Sequence, residues 1–171
     1  PPVVIRLITD TLERQTASCL PALVPALDSF LMTGKFQTEN LTDDLAWDDT
    51  CDLPKSLIAK AHELRALAAA LPPEDPKFDE LAHIATETIH ASGPRKLLVF
   101  SFFLHTLSYL ERRLRSEGYR VGVVSGRVDD DMREILRYRF RLPSEHEDAI
   151  DIMLSSEVVI EGLDYEFCSR L

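Results

Sequence analysis

Three short apolar runs in the second half of the chain constrain its fold most. Residues 96–104 read KLLVFSFFL, 118–127 read GYRVGVVSGR and 150–164 read IDIMLSSEVVIEGLD. Each run stops at small or polar residues, and stretches of helical periodicity separate them. Strand–helix–strand alternation pairs its strands in parallel through right-handed crossovers. The expected fold class is therefore α/β: a partial parallel sheet flanked by helices, with a mainly helical section before it. Strands are expected over 97–101, 121–125 and 150–155. A helix is expected over 104–117, with Leu107, Leu110 and Leu114 inward and Gly118 as its left-handed cap. Another starts at Asp129, Asp130 and Asp131, where acids suit the helix dipole, with Met132, Ile135, Leu136 and Phe140 as its core face.

The first half reads differently. Val4, Ile5, Ile8 and Leu12 share one face of a helix over 3–14. A second helix over 20–32 carries Pro25 near its first turn and stops at Gly34. Leu57, Ala61, Leu64, Ala68 and Leu71 step by four and three, the mark of an amphipathic helix ended by Pro72 and Pro73. Asp75 then caps a further helix with Pro76 at its first position, and Phe78, Leu81, Ala85 and Ile89 form its buried face. Residues 37–53 carry six acids and no base and read as an acidic loop. The expected division is a helical section over 1–94 and an α/β unit over 95–171.

Charge narrows the function classes. The net charge of −10 argues against a protein that coats nucleic acid unspecifically. The balance is uneven, however: residues 1–94 hold 7 basic and 15 acidic residues, and residues 95–171 hold 12 and 14. An acidic chain can thus carry a local basic face built from Arg112, Arg113, Arg115, Arg133, Arg137, Arg139 and Arg141. Ordinary solvation of helix surfaces is the competing reading. Cys19, Cys51 and Cys168 are odd in number and lack metal-ligand spacing, which fits free thiols in a reducing compartment. His83 and His90 could share a helix face but lack further zinc ligands, so no metal is expected. No apolar run approaches membrane-spanning length, and no secretory leader is visible at the first residues.

In open parallel sheets, ligands bind beyond the carboxyl ends of the strands. The first end offers Ser101, Phe102 and Phe103. The second offers Ser125, Gly126 and Arg127. The third offers Ser155, Ser156 and Glu157, then Glu161, Gly162, Leu163 and Asp164. Hydroxyls and backbone N–H groups there can hold phosphate oxygens. A carboxylate such as Asp164 can accept from a ribose hydroxyl. At any single end, serine and glycine are better explained as turn formers; three ends in series favour a site. A triad of Ser155, His105 and an aspartate can be composed on paper, but no GxSxG elbow supports it.

FSFFLHTLSYLERRL, GYRVGVVSGR, MREILRYRF and LSSEVVIEGLD together resemble the second RecA-like lobe of superfamily 2 helicase-type ATPases. The likeness is strongest to the Swi/Snf-like branch and its bacterial members. RQTASCLPAL at 14–23 and DPKFDELAHI at 75–84 resemble the helical approach of the same branch. The resemblance implies a cytoplasmic, ATP-driven motor that tracks along double-stranded nucleic acid, most simply DNA. ATP and Mg2+ are sandwiched between this lobe and a first RecA-like lobe of the same chain. It implies phosphate contacts from Ser101, Ser125, Gly126, Arg127, Ser155 and Ser156. It places Glu161, Gly162 and Asp164 at the ATP cleft, with Asp164 toward the ribose. Arg133 matches a family arginine.

This sequence departs from the pattern at three places. Phe102 stands where glutamine is usual, Arg127 where a small residue is usual, and Val159–Ile160 where a Gly-Ser type pair is usual. A β-branched valine obstructs the close backbone approach to phosphate that glycine permits. The chain also lacks a GxxxxGK[ST] loop and a DExx-type acidic motif. No catalytic residue for phosphoryl transfer is therefore expected in it, and alone it should turn over no ATP. An exposed apolar cleft face is expected to drive self-association. The alternative is a degenerate lobe that serves as a protein-interaction module without ATP turnover. An unrelated doubly wound nucleotide enzyme ranks lower, because no glycine-rich first turn is present.

Overall fold

A computed structural model describes residues 2–34, 54–90 and 95–156. Among the described residues the chain forms six α-helices and three strands. Helix α1 spans Pro2–Ser18, and a single 3-10 turn at Leu20–Ala22 leads into α2, Leu23–Thr33. Helices α3 and α4 span Lys55–Ala69 and Pro76–His90. Then come β1 (Leu97–Phe100), α5 (Leu104–Ser116), β2 (Val121–Val124), α6 (Asp130–Arg141) and β3 (Ile152–Ser155). The fold is thus α/β with a parallel three-stranded sheet, as the alternation predicts.

The order of the described strands is β1-β3-β2, so the third in sequence lies between the other two. Leu97 pairs with Ile152 on one side of β3, and Val121 pairs with Ile152 on the other. Period-two alternation splits the sheet's apolar residues between two faces. Leu97, Val121, Ile152 and Leu154 pack with Leu107 and Leu114 of α5 and Phe78 and Ala85 of α4. Leu98, Val124, Met153 and Ile150 pack with Phe140 of α6. Gly122 lets the second face close: a Cβ there would come 2.8 Å from Ile150 Cδ1 and 3.1 Å from Met153 Sδ. Cys19 and Ala22 join the first face, so the early helices contribute to the same core. A separate cluster of Ile8, Leu23, Leu27, Phe30 and Ala61 binds α1, α2 and α3. Arg65 of α3 forks onto Asp28 of α2, with Nε 2.5 Å from Oδ1 and Nη2 3.2 Å from Oδ2.

The expected caps are present. Gly34 and Gly118 adopt φ of 72° and 90°, the left-handed region where a side chain is strained. Asp75 Oδ1 accepts from Phe78 N at 3.2 Å, and Asp129 Oδ1 accepts from Met132 N at 2.8 Å. Asp75 also ties α4 to α5. Tyr109 donates its hydroxyl to Asp75 Oδ2 at 2.7 Å and accepts from Arg113 Nη1 at 2.8 Å. Burial, then this carboxylate, pushes the Tyr109 hydroxyl up to about 12. Burial likewise pushes the Cys19 thiol up to about 11, which leaves it unreactive.

Several residues expected in the core are exposed. Met132 and Ile135 are 45% and 50% exposed, and α6 buries Phe140 and half-buries Leu136 instead. The physical reason is the strand order: α6 lies against β2, an outer strand of the described sheet, which is too narrow to cover the helix's first turns. Ile5 and Leu71 are exposed as well, and Leu64 of α3 is exposed for a related reason. A helix that meets one neighbour buries only a narrow stripe, here Ala61 with Leu57 and Ala68 at its margin. The acidic stretch 37–53 lies outside the described residues. No helix among the described residues is long and apolar enough to cross a membrane.

Candidate functional site

Register brings the three strand ends level. Phe100, Ser155 and Val124 lie in one line across the sheet. The residues one step beyond are Ser101, Ser156 and Ser125, a row of three serines. The ladder continues through them: Ser101 N donates to Ser155 O, and Ser156 N donates to Val124 O, each at 3.1 Å. All three side chains are buried, as is that of Ser155.

The hydroxyls have different duties. Ser101 Oγ accepts from Phe103 N at 3.3 Å, and Ser125 Oγ accepts from Arg127 N at 3.4 Å. A hydroxyl that accepts keeps its own proton for a further partner. Ser155 Oγ instead donates to Ser156 O at 3.1 Å, which uses its proton inside the sheet. Ser156 Oγ is buried with no hydrogen-bond partner. Gly126 and Arg127 are exposed in the turn beyond β2. Glu161, Gly162 and Asp164, together with Glu157, Val159 and Ile160, lie outside the described residues.

Phe102 has a structural task. Its ring lies edge-on to Phe103 at 5.3 Å between centroids, and the Arg14 guanidinium of α1 sits 5.0 Å above it. Beside it, Gln15 Nε2 donates to Thr106 Oγ1 at 3.2 Å, and Ser18 Oγ lies 3.3 Å from the same oxygen. These contacts dock α1 against the start of α5, next to the first strand end.

His105 enters the sequence reading only in a triad that no elbow motif supports, and the structure gives it a distinct setting. It is the second residue of α5, just past the end of β1, and its Nε2 is buried without a partner. Burial, reinforced by the Arg127 charge, holds its imidazole below the usual 6.5. That field runs from the turn after β2 to the helix after β1, and the end of β3 lies between them in the strand order. Its position two residues into a helix that follows a strand end is the sequence signal for this setting. Arg133 lies in the first turn of α6. Its Nη1 donates to Asp130 Oδ1 at 2.9 Å, and its Nε is buried without a partner.

The opposite end of the sheet is also polar, and closed. Arg120 grips Asp151 with two bonds, Nε to Oδ2 at 2.7 Å and Nη2 to Oδ1 at 2.8 Å. It also donates to the carbonyls of His146 and Ser144, at 2.7 Å and 2.6 Å. Buried Lys96 donates to Ile150 O at 2.6 Å and lies 3.9 Å from Asp151 Oδ1. This knot fastens the entries of the strands and leaves the carboxyl end as the side with hydrogen-bonding capacity to offer. Among the described residues no group of three or more His, Cys, Asp or Glu side chains could hold a metal. No protein-family model matches the chain, and comparison with curated proteins gives no match.

Proposed function

We propose that the chain is part of an ATP-dependent nucleic-acid translocase, namely the second RecA-like lobe of a Swi/Snf-like ATPase of the bacterial cytoplasm. The observation that carries this proposal is the in-register serine row beyond three parallel strands, with Arg127 beside it. The buried hydroxyls shape the strand exits, and the exposed Gly126 and Arg127 beyond them offer an amide and a cation to the phosphates of a strand. In this proposal Gly126 and Arg127 meet the nucleic acid at the exposed rim, and Ser101, Ser125, Ser155 and Ser156 hold the strand ends behind them in shape. Glu161, Gly162 and Asp164 form this lobe's share of an ATP–Mg2+ cleft completed by a first lobe. The natural partners are that first lobe and double-stranded DNA. The exposed Met132, Ile135 and Tyr138 of α6 offer apolar surface for self-association.

The test is duplex binding by fluorescence anisotropy across a salt series. The chain is expected to bind double-stranded DNA with an affinity that falls as salt rises. Arg127→Ala should lower affinity and flatten the salt slope by about one unit. ATP turnover by the chain alone should stay at background with or without duplex. Salt-independent binding or no binding would overturn the proposal.

One observation favours a second function, a lobe that binds a protein partner without turnover. Phe102 is engaged by Arg14 and Phe103, where the resembling family has a polar side chain. If the second function holds, the chain binds no duplex at any salt concentration.

A further inference from the structure

Away from the strand exits, the helical section and α5 border a cavity of about 600 Å3. Ligand pockets span about 300–1,000 Å3 and combine an apolar wall with a few placed polar groups. This cavity has both. Leu20, Val24, Ala69, Leu71 and Pro72 supply the apolar wall. Leu20 and Leu71 are exposed there, so a ligand that covers them removes apolar surface from water. Pro72, Pro73 and Pro76 fix their own φ angles in the link from α3 to α4, so this part of the wall is preformed and costs little to order on binding.

The polar side is built around Arg113, in the last turn of α5. Its guanidinium lies 4.0 Å from the centroid of the Phe78 ring, and its Nη1 donates to Tyr109 Oη at 2.8 Å. Burial and Asp75 keep the Tyr109 hydroxyl protonated, so it does not cancel the Arg113 charge. Asp75 spends both oxygens inside the fold, on Phe78 N and on the Tyr109 hydroxyl. Glu74 lines the cavity as an exposed residue. Lys77 brings a second cation, tied to the Ala17 carbonyl. Neither Arg113 nor Lys77 makes an ion pair among the described residues. A planar guanidinium held against a ring is a preorganised fork for a carboxylate or sulfonate.

We propose that this cavity binds a small amphipathic organic acid, with its apolar body against Val24, Ala69 and Leu71 and its anionic head on Arg113. The site goes beyond the nucleic-acid function. Tyr109 and Arg113 occupy the second half of α5, whereas the strand exit of β1 lies before its first turn. A bound acid touches the end of α3 and the end of α5 together, and so ties the helical section to the layer that covers the sheet.

The test is a fluorescence titration with 8-anilinonaphthalene-1-sulfonate, an aromatic body with one anionic head, followed by displacement with decanoate and with decan-1-ol. Saturable binding at one site is expected, with decanoate displacing the dye at about tenfold lower concentration than the alcohol, the size of one charge-assisted hydrogen bond. Arg113→Gln should weaken decanoate about tenfold and leave decan-1-ol unchanged. Ala69→Trp should abolish dye binding. Ala69 is exposed and outside the packed clusters, so its enlargement fills the cavity without disturbing a core position. Ile135→Ser, on the exposed apolar face of α6, should change nothing. Dye binding that survives Ala69→Trp and disappears in Ile135→Ser overturns the site. Equal displacement by acid and alcohol, unchanged in Arg113→Gln, overturns the assignment of an anionic ligand. No saturable binding by the wild type overturns the proposal and leaves the nucleic-acid function standing, because duplex binding is measured separately.

Discussion

The two ends of the sheet are built from similar amounts of polar material and use it in opposite ways. At the amino end, Arg120, Asp151 and Lys96 bond to one another and to nearby carbonyls. At the carboxyl end, Ser156, His105 and Arg133 each keep a buried atom without a partner. The first arrangement strengthens the fold; the second leaves buried polar atoms unpaired and weakens it. Gain and loss of stability are thus separated along the length of three short strands.

Breaking the amino end should have the largest effect. Asp151→Ala leaves a guanidinium and a buried ammonium without their carboxylate and should destabilise the chain by roughly 3–5 kcal/mol in urea unfolding. A loss below about 1 kcal/mol would show that the knot is not what fastens the strand entries. The opposite sign is expected at the other end. Ser156→Ala removes an unsatisfied buried hydroxyl and should stabilise the folded chain by about 1 kcal/mol. Destabilisation by that variant would mean the hydroxyl is satisfied in solution, and the contrast between the ends would fail.

The third effect is pH-dependent. His105 has a folded pKa below its unfolded value, so the unfolded chain takes up a proton first as pH falls. Its contribution to stability is therefore complete above 6.5 and declines as pH falls from 6.5 toward the lower folded value. An NMR titration should give a midpoint for His105 below 6.5, and His105→Asn should remove this part of the acid dependence. A midpoint at or above 6.5 would show that the imidazole is neither buried nor under the Arg127 field. The smallest effect is at the docking of α1. Arg14→Ala should cost about 0.5 kcal/mol, the value of one exposed cation–π contact. A cost above 2 kcal/mol would make Phe102 a pillar of the fold and not a local latch.

The elements were legible wherever local chemistry decides them. Gly34, Gly118, Asp75 and Asp129 announce their caps, and the three apolar runs announce strands whose ends carry serine. Contacts between residues distant in sequence were not legible. Arg120 and Asp151 meet because the entries of β2 and β3 lie side by side, and no periodicity links them. The exposed Met132 and Ile135 follow the helical period faithfully; what misled was the width of the surface beneath them. His105 was hidden for a related reason: one histidine near a helix start means nothing until the neighbouring strand exits are known to face it.

The strand order has a consequence for synthesis. Among the described strands, β1 and β2 share no rung with each other, and both pair with β3, the last of the three to leave the ribosome. Until Ile152–Ser155 emerge, a nascent chain has two strands with no described partner and two apolar faces with nothing to pack around. The sheet therefore closes late and in one step, over a large separation in sequence, and such non-local pairings form slowly. During that interval the chain is a natural client for a chaperone that shields apolar segments.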